Sequence, residues 1–178
     1  MLSDWLSDSR VLAAVIGAAA VALGWFVAGR RERGAERRLR RQRERDMRAA
    51  LSAEIGAHVE ALRMFDLEEQ WRLIVGRMEA DPAYVPTVPR ERNDVMFRAM
   101  VEEVSVLPEG AIGPVVRYYG QLFAVGAIVG DLRSNAFRER MGQPERIAMY
   151  TDYIGLKQEA LVRGEAALAA LRPAGARR

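Results

Sequence analysis

The feature that most constrains this chain is an uninterrupted apolar run near its N-terminus. Residues 11–29 read VLAAVIGAAAVALGWFVAG and contain no charge, amide or hydroxyl. As an α-helix this run would be about 28 Å long, which is close to the hydrocarbon thickness of a bilayer. Trp5, Trp25 and Phe26 lie near its two ends, where aromatic rings favour the membrane boundary. The run therefore predicts a transmembrane helix.

A cleaved signal peptide and a buried helix of a soluble protein are the two alternatives to this interpretation. A signal peptide carries positive charge before a shorter apolar region. Residues 1–10 instead carry a net charge of −1, from Asp4, Asp8 and Arg10. A soluble helix without a polar stripe would need protein on every side. We therefore prefer the transmembrane interpretation.

The segment that follows the apolar run is strongly basic and predicts the topology. Residues 30–48, here called the basic stalk, contain ten arginines against four acids and have a net charge of +6. Basic residues resist translocation, so this side of the membrane should be the cytoplasm. We expect a single-pass membrane protein with a short extracytoplasmic N-terminus of residues 1–10 and a cytoplasmic body.

Anionic lipid headgroups are the partner that we expect for the basic stalk, at about 1 kcal/mol for each arginine near the membrane surface. Nucleic acid is an unlikely partner, because the stalk contains four acids and no interleaved aromatic residue. Glu–Arg pairs at i,i+4 spacing predict that the stalk is helical. The candidate headgroup-binding residues are Arg30, Arg31, Arg33, Arg37, Arg38, Arg40 and Arg41.

Beyond the stalk, apolar residues recur at helical spacing, and no alternating strand pattern of useful length appears. A proline-containing loop, DPAYVPTVP, interrupts the helical pattern once. The first helix after the stalk should run from Met47 to about Glu79, with a slight break allowed at residues 67–70, and should bury a face that includes Met47, Leu51, Ile55 and Val59. A short helix should cover residues 95–107, with Asn93 or Asp94 as its cap.

The next helix should cover about 109–141 (or start near Gly113, because of Pro114), with Gly142 as its stop. The last should cover 143–172, where Lys157 and Gly164 interrupt an apolar seam.

This pattern predicts an all-α protein whose body, residues 49–172, is an antiparallel bundle of three long helices and one short helix. Residues 173–178 would form a tail. A second membrane span is an alternative for residues 111–130, which are mostly apolar and contain glycines four positions apart at 126 and 130. Arg117 near the middle of this segment argues against a span.

The residue types that most catalytic and metal sites use are scarce in this chain. It has no Cys, one His and one Lys, at His58 and Lys157. Disulfides, Cys-based metal sites, thiol catalysis and multi-histidine metal sites are thereby excluded. No glycine-rich pattern has the context of a phosphate-binding loop. We therefore expect no catalytic residues, no metal and no cofactor, and a protein that is not an enzyme.

Three groups of short motifs lie along the chain: Ala50-Leu51 with Glu54-Ile55, then Val106-Leu107-Pro108, and Val115-Val116 with Tyr118-Tyr119 and Leu122. Together they resemble a pattern found in small, uncharacterised bacterial membrane proteins, and the similarity spans roughly residues 10–125. The resemblance implies an N-terminal helix in a bacterial inner membrane, an arginine-rich flank and a cytoplasmic helical domain, and it implies no activity or site. The chain departs from that pattern where VEEV precedes the Leu-Pro step, a place where a small or glycine residue is more usual.

These observations favour a non-enzymatic, membrane-anchored scaffold or protein-interaction module, which binds an unknown protein or a second copy of itself. An exposed aromatic patch of Tyr84, Tyr118 and Tyr119 is the candidate partner surface. The alternatives are a membrane-tethered helical sensor that binds a small apolar ligand and a nucleic-acid tether that uses the basic stalk. A pocket within the bundle larger than a few hundred cubic ångströms would favour the sensor, and a densely packed core would favour the scaffold.

The predicted topology has a direct test. Alkaline phosphatase fused after Arg178 should be inactive in bacterial cells, because the basic stalk keeps the C-terminal body in the cytoplasm, where this reporter does not mature. The measurement is phosphatase activity per unit of fusion protein. An active fusion would contradict the predicted orientation.

Overall fold

The structure is a computed structural model that describes residues 9–90 and 92–173, with side chains described for residue 25, residues 36–90 and residues 92–173. The chain is helical, and the described residues contain no strand, which confirms the predicted all-α class. The chain divides into two units, residues 1–43 and residues 44–178. Most of the predicted extracytoplasmic N-terminus and of the predicted tail lies outside the described residues.

The described residues form six α-helices and one 3₁₀ helix, which loops and turns connect. In chain order they are α1 (Ser9–Met64), α2 (Leu67–Ala80), α3 (Val95–Met100), the 3₁₀ helix Val101–Val106, α4 (Glu109–Leu132), α5 (Asn135–Glu139) and α6 (Gln143–Leu171).

Helix α1 contains the predicted transmembrane run, the basic stalk and the first residues of the domain core. Its backbone is helical throughout, which agrees with the predicted helicity of the stalk. Four of the predicted headgroup-binding residues are exposed, namely Arg37, Arg38, Arg40 and Arg41. The side chains of the other three, Arg30, Arg31 and Arg33, lie outside the described part of the chain.

The single helix predicted from Met47 to Glu79 is two helices in the structure. The helix is interrupted between α1 and α2. There, Oδ1 of Asp66 accepts hydrogen bonds from the backbone N of Glu68 at 3.1 Å and from that of Glu69 at 3.0 Å. Aspartate is among the preferred N-cap residues, so a local side chain starts the new helix. The prediction of three long helices and one short helix therefore gives too few helices.

Two further helix boundaries differ from the sequence prediction. Helix α4 ends at Leu132, earlier than predicted, because Oγ of Ser134 accepts from the N of Phe137 at 3.1 Å and begins α5. The residue predicted to stop this helix, Gly142, is instead the N-cap of α6. Oε2 of Glu145 accepts from the N of Gly142 at 2.9 Å.

Proline positions are consistent with the helix starts. Helix α4 begins at Glu109, directly after Pro108, and continues through Pro114. An interior proline leaves the carbonyl four residues earlier without its helical partner. That carbonyl belongs to Gly110, which is exposed, so water can reach it. Leu107, at the corner before α4, is only 3% exposed, as expected for a residue that packs into the core.

The buried side chains of the domain form two clusters, and helices α4 and α6 contribute to both. The first cluster joins α1, α3 and α4 to the C-terminal end of α6 and consists of Met47, Leu51, Ile55, Val59, Phe97, Leu107, Ala111, Val115, Tyr118, Tyr119, Ala167 and Leu171. The second joins α2, the proline loop and α5 to α4 and α6 and consists of Leu67, Val75, Met78, Val88, Val129, Leu132, Phe137, Tyr150, Tyr153 and Ile154.

Among the helices whose side chains are described throughout, α4 is long and apolar enough to cross a membrane. It also supplies fully buried side chains to the first cluster, among them Val115, Tyr118 and Tyr119 at 0% exposure. Over the apolar window of α4 as a whole, 28% of the residues are buried. One face of α4 therefore packs in the domain core, and the other residues of this helix are accessible.

Helix α6 approaches α1 and α4 most closely at Gly164. A Cβ atom at this position would lie 2.5 Å from Cγ2 of Val59 and 3.1 Å from Cε2 of Tyr118. The sequence suggested that Lys157 and Gly164 interrupt an apolar seam of α6, yet both are buried. The glycine is part of the helix–helix contact, since its missing side chain allows the approach.

Gly164→Ala should destabilise the domain by about 1–3 kcal/mol, because the new methyl group overpacks the contact with Val59. Gly155→Ala is the matched control on the same helix, since nothing lies within 4 Å of its Cβ position. This control should be stabilising by about 0.5–1 kcal/mol. Urea unfolding followed by circular dichroism measures both. Equal stability of the two variants would contradict the close approach.

Candidate functional site

The carboxylate of Glu54 on α1 joins three elements of the domain. Oε1 accepts a hydrogen bond from the backbone N of Met96 at 2.7 Å, and Oε2 accepts one from the N of Phe97 at 3.2 Å. The hydroxyl of Tyr119 on α4 donates to Oε2 at 2.6 Å. Glu54 thus satisfies two free N–H groups at the start of α3, where a negative charge is favoured by the helix dipole.

The residue that the sequence offered as the cap of α3 is engaged elsewhere. Asp94 occupies the N-cap position, but its side chain makes no capping hydrogen bond. Its Oδ2 instead accepts from Nε of Arg98 at 2.5 Å. The cap therefore comes from another helix, and α3 is fixed to α1 by it.

The two adjacent tyrosines of α4 are both hydrogen-bonded to α1. The hydroxyl of Tyr118 lies 2.7 Å from Nδ1 of His58, with which it shares a hydrogen bond. The ring of Tyr119 stacks on Phe97, with ring centroids 3.9 Å apart and planes at 9°. Burial, followed by the nearby charge of Glu54, raises the pKa of Tyr118 above its ordinary value. Burial and the hydrogen bond to Glu54 raise the pKa of Tyr119 in the same way.

The predicted partner patch of Tyr84, Tyr118 and Tyr119 is not a surface feature. Tyr118 and Tyr119 are each 0% exposed. Tyr84 is half-buried and packs against the second core cluster, whereas the other two belong to the first. The prediction is wrong because the two adjacent tyrosines both turn their hydroxyls toward polar groups of α1, so neither is left for a partner.

A groove beside this junction has the character of a binding site. It has a volume of about 570 Å³, and we call it the arginine groove. Its polar lining comes from α1, the loop before α3 and α3 itself, namely His58, Arg90, Arg92, Asn93, Asp94 and Arg98. Helix α4 supplies the other lining residues, which are apolar: Leu122, Phe123, Val125, Gly126, Val129 and Gly130.

The proline loop that carries part of this lining is fastened to the domain. Nη1 of Arg133, just after α4, donates to the carbonyl of Val88 at 2.6 Å, and Val88 itself is buried. At the start of α6, the Gln143 amide donates to the carbonyl of Met78 at 2.5 Å, and the Arg146 guanidinium donates to the carbonyl of Pro82. These three hydrogen bonds hold the proline loop in place near its start and near its end.

Sequence reasoning missed the arginine groove. Arg90, Arg92 and Arg98 are remote in sequence from the glycines of α4, and the path of the loop brings them to one groove. The one signal in the sequence was the pair Gly126 and Gly130, which was interpreted as a possible membrane contact between helices.

The described side chains contain no group of three or more His, Asp or Glu residues that could hold a metal ion. Comparison of the chain with protein-family models, with curated proteins and with solved structures finds no match.

The Glu54 junction has a quantitative test. Glu54→Gln removes the charge that three donors share and should lower the free energy of unfolding by about 1–3 kcal/mol. Combined with Tyr119→Phe in a double-mutant cycle, it should show a coupling energy of about 1 kcal/mol. Glu60→Gln, an exposed glutamate of the same helix, is the control and should change stability by less than about 0.5 kcal/mol. A coupling energy of zero would contradict the claim that Glu54 and Tyr119 stabilise the domain through their hydrogen bond.

Proposed function

We propose that this chain is a membrane-anchored helical module that works by binding partners at the cytoplasmic face of a bacterial inner membrane, without catalysing a reaction. The observation that carries the proposal is the continuity of α1 from Ser9 to Met64. The apolar run, the basic stalk and the first core residues of the domain belong to one helix. A domain joined in this way to a membrane-spanning segment stays at the membrane surface.

The apolar run and the stalk support the single-pass topology. The indole of Trp25, inside the run, is 79% exposed, which suits a side chain at the boundary of a lipid bilayer. The exposed arginines of the stalk, Arg37, Arg38, Arg40 and Arg41, suit anionic headgroups at the cytoplasmic surface. For the domain itself we propose the antiparallel arrangement that short connections between α4, α5 and α6 favour.

A surface for a protein partner lies where α1 meets α2. Three large apolar side chains are exposed there: Met64 at 80%, Phe65 at 63% and Leu73 at 55%. They line a shallow depression of about 710 Å³ whose rim is polar. Contiguous apolar side chains with a polar rim are typical of protein interaction sites. We propose that an unidentified protein, or a second copy of this chain, binds this corner.

A photo-crosslinking experiment in native membranes tests both parts of the proposal. With p-benzoylphenylalanine in place of Leu73, irradiation should give a defined cross-linked product that stays with the membranes after an alkaline wash. A product of twice the chain's mass would identify a second copy as the partner. The matched control is the same substitution at Val162 on α6, which is 59% exposed and does not line the depression.

Two results would contradict the proposal. The same pattern of products from positions 73 and 162 would mean that the corner is not a specific surface. Release of the chain by the alkaline wash would mean that α1 does not anchor it.

A further inference from the structure

The α4 side of the arginine groove is open at two positions, because two of its lining residues are glycines. Gly126 and Gly130 are four positions apart and therefore lie on the same face of α4. No atom lies within 4 Å of the Cβ position of either glycine. The neighbouring lining residues of α4, including Leu122 and Val129, are aliphatic. This face of α4 thus offers an apolar trough that larger side chains would fill.

The rim of the same groove is cationic. Among the described lining residues, three are arginines and one, Asp94, is acidic. Asp94 is paired with Arg98, whose Cζ lies 5.8 Å from the centroid of the Phe123 ring. Arg90 and Arg92 are both exposed and bring two further guanidinium groups to the groove. Planar guanidinium groups are well suited to bind carboxylate or phosphate through paired hydrogen bonds.

An apolar trough beside a cationic rim matches a ligand with both characters. We propose that the arginine groove binds a single-chain amphiphile with an anionic headgroup, the hydrocarbon chain lying along Gly126 and Gly130 and the headgroup facing Arg90 and Arg92. The volume of about 570 Å³ is in the range of small-molecule sites. A small inorganic anion would leave the apolar floor in contact with water, so the hydrocarbon chain is required by the shape of the site.

The groove is built well enough to hold such a ligand. One wall is held by the bonds from Glu54 to Met96 and Phe97, and the loop is held by the bond from Arg133 to Val88. The corner at Met64 and the membrane topology are separate features, so this site stands independently of the proposed partner surface.

Photo-labelling of the full chain in nanodiscs of zwitterionic lipid tests the site. The probe is a fatty acid with a diazirine in its chain, and mass spectrometry locates the label. We expect labelling within residues 122–130. The fatty alcohol with the same chain lacks the charge and should label this segment about tenfold less. Labelling confined to residues 11–29 would overturn the proposal, because it would report only the membrane around the helix.

Two pairs of variants separate ligand binding from folding. Arg90→Gln with Arg92→Gln should reduce labelling of residues 122–130 about tenfold. Arg138→Gln with Arg140→Gln, which removes the same charge from α5 and its C-cap, should not. Gly126→Leu should block the trough. Gly120→Leu is its control, since Gly120 also has open space at its Cβ position but does not line the groove. Equal labelling of the two leucine variants, both checked for folding by circular dichroism, would overturn the proposal.

Competition distinguishes the chemical source of the anion. Excess lysophosphatidate displacing the probe indicates that a phosphate headgroup is accepted as well as a carboxylate, and failure to displace it restricts the site to carboxylates. Both results support an anionic amphiphile as the ligand of the groove. Displacement by inorganic phosphate alone, or by a short oligonucleotide, would overturn it, because neither ligand has a hydrocarbon chain.

Discussion

The carboxylate of Glu54 is the point at which α1, α3 and α4 are joined. It accepts hydrogen bonds from two backbone N–H groups at the start of α3 and from the hydroxyl of Tyr119 on α4. Helix α3 has only six residues, and helices this short are not stable without tertiary contacts. Its own N-cap residue, Asp94, is bound to Arg98 instead. The position of α3, and of the loop that leads into it, therefore depends on a side chain from another helix.

Two consequences follow for the rest of the domain. Tyr119 must be buried for its hydroxyl to reach Glu54, and its stacking on Phe97 fixes α3 over the first core cluster. The neighbouring Tyr118 reaches His58 from the same turn of α4 and contacts the space that Gly164 leaves open on α6. The same junction sets one wall of the arginine groove, since Arg98 follows Phe97 directly. Core packing and the groove thus share one set of contacts.

The sequence predicted the parts of this fold that depend on local pattern. The face of Met47, Leu51, Ile55 and Val59 was expected to be buried, and it is. The start of α4 after Pro108 was predicted correctly, because proline and a following acid are local signals. The sequence allowed only a slight break at residues 67–70, because no proline or glycine is present there and apolar residues continue at helical spacing on both sides. The Asp66 cap, which is also a local signal, makes it a full boundary between two helices.

The sequence did not predict features that depend on contacts between remote residues. Tyr118 and Tyr119 were interpreted as surface residues because nothing in their local sequence indicates that His58 and Glu54 lie opposite them. The arginine groove was missed for the same reason, since the bond from Arg133 to Val88 and the cap from Glu54 on α3 join residues that are remote in sequence. In both cases a hydrogen-bond partner that is remote in sequence decides where the residue lies.

Amide hydrogen exchange in the wild type and in Glu54→Gln tests most directly whether this junction holds the domain together. The account predicts that the amides of Met96 and Phe97 exchange faster in the variant, because they lose a charged acceptor, and that the amides in the middle of α6 keep their protection. Unchanged protection of Met96 and Phe97 would contradict the account, because it would mean that α3 is held in place without Glu54.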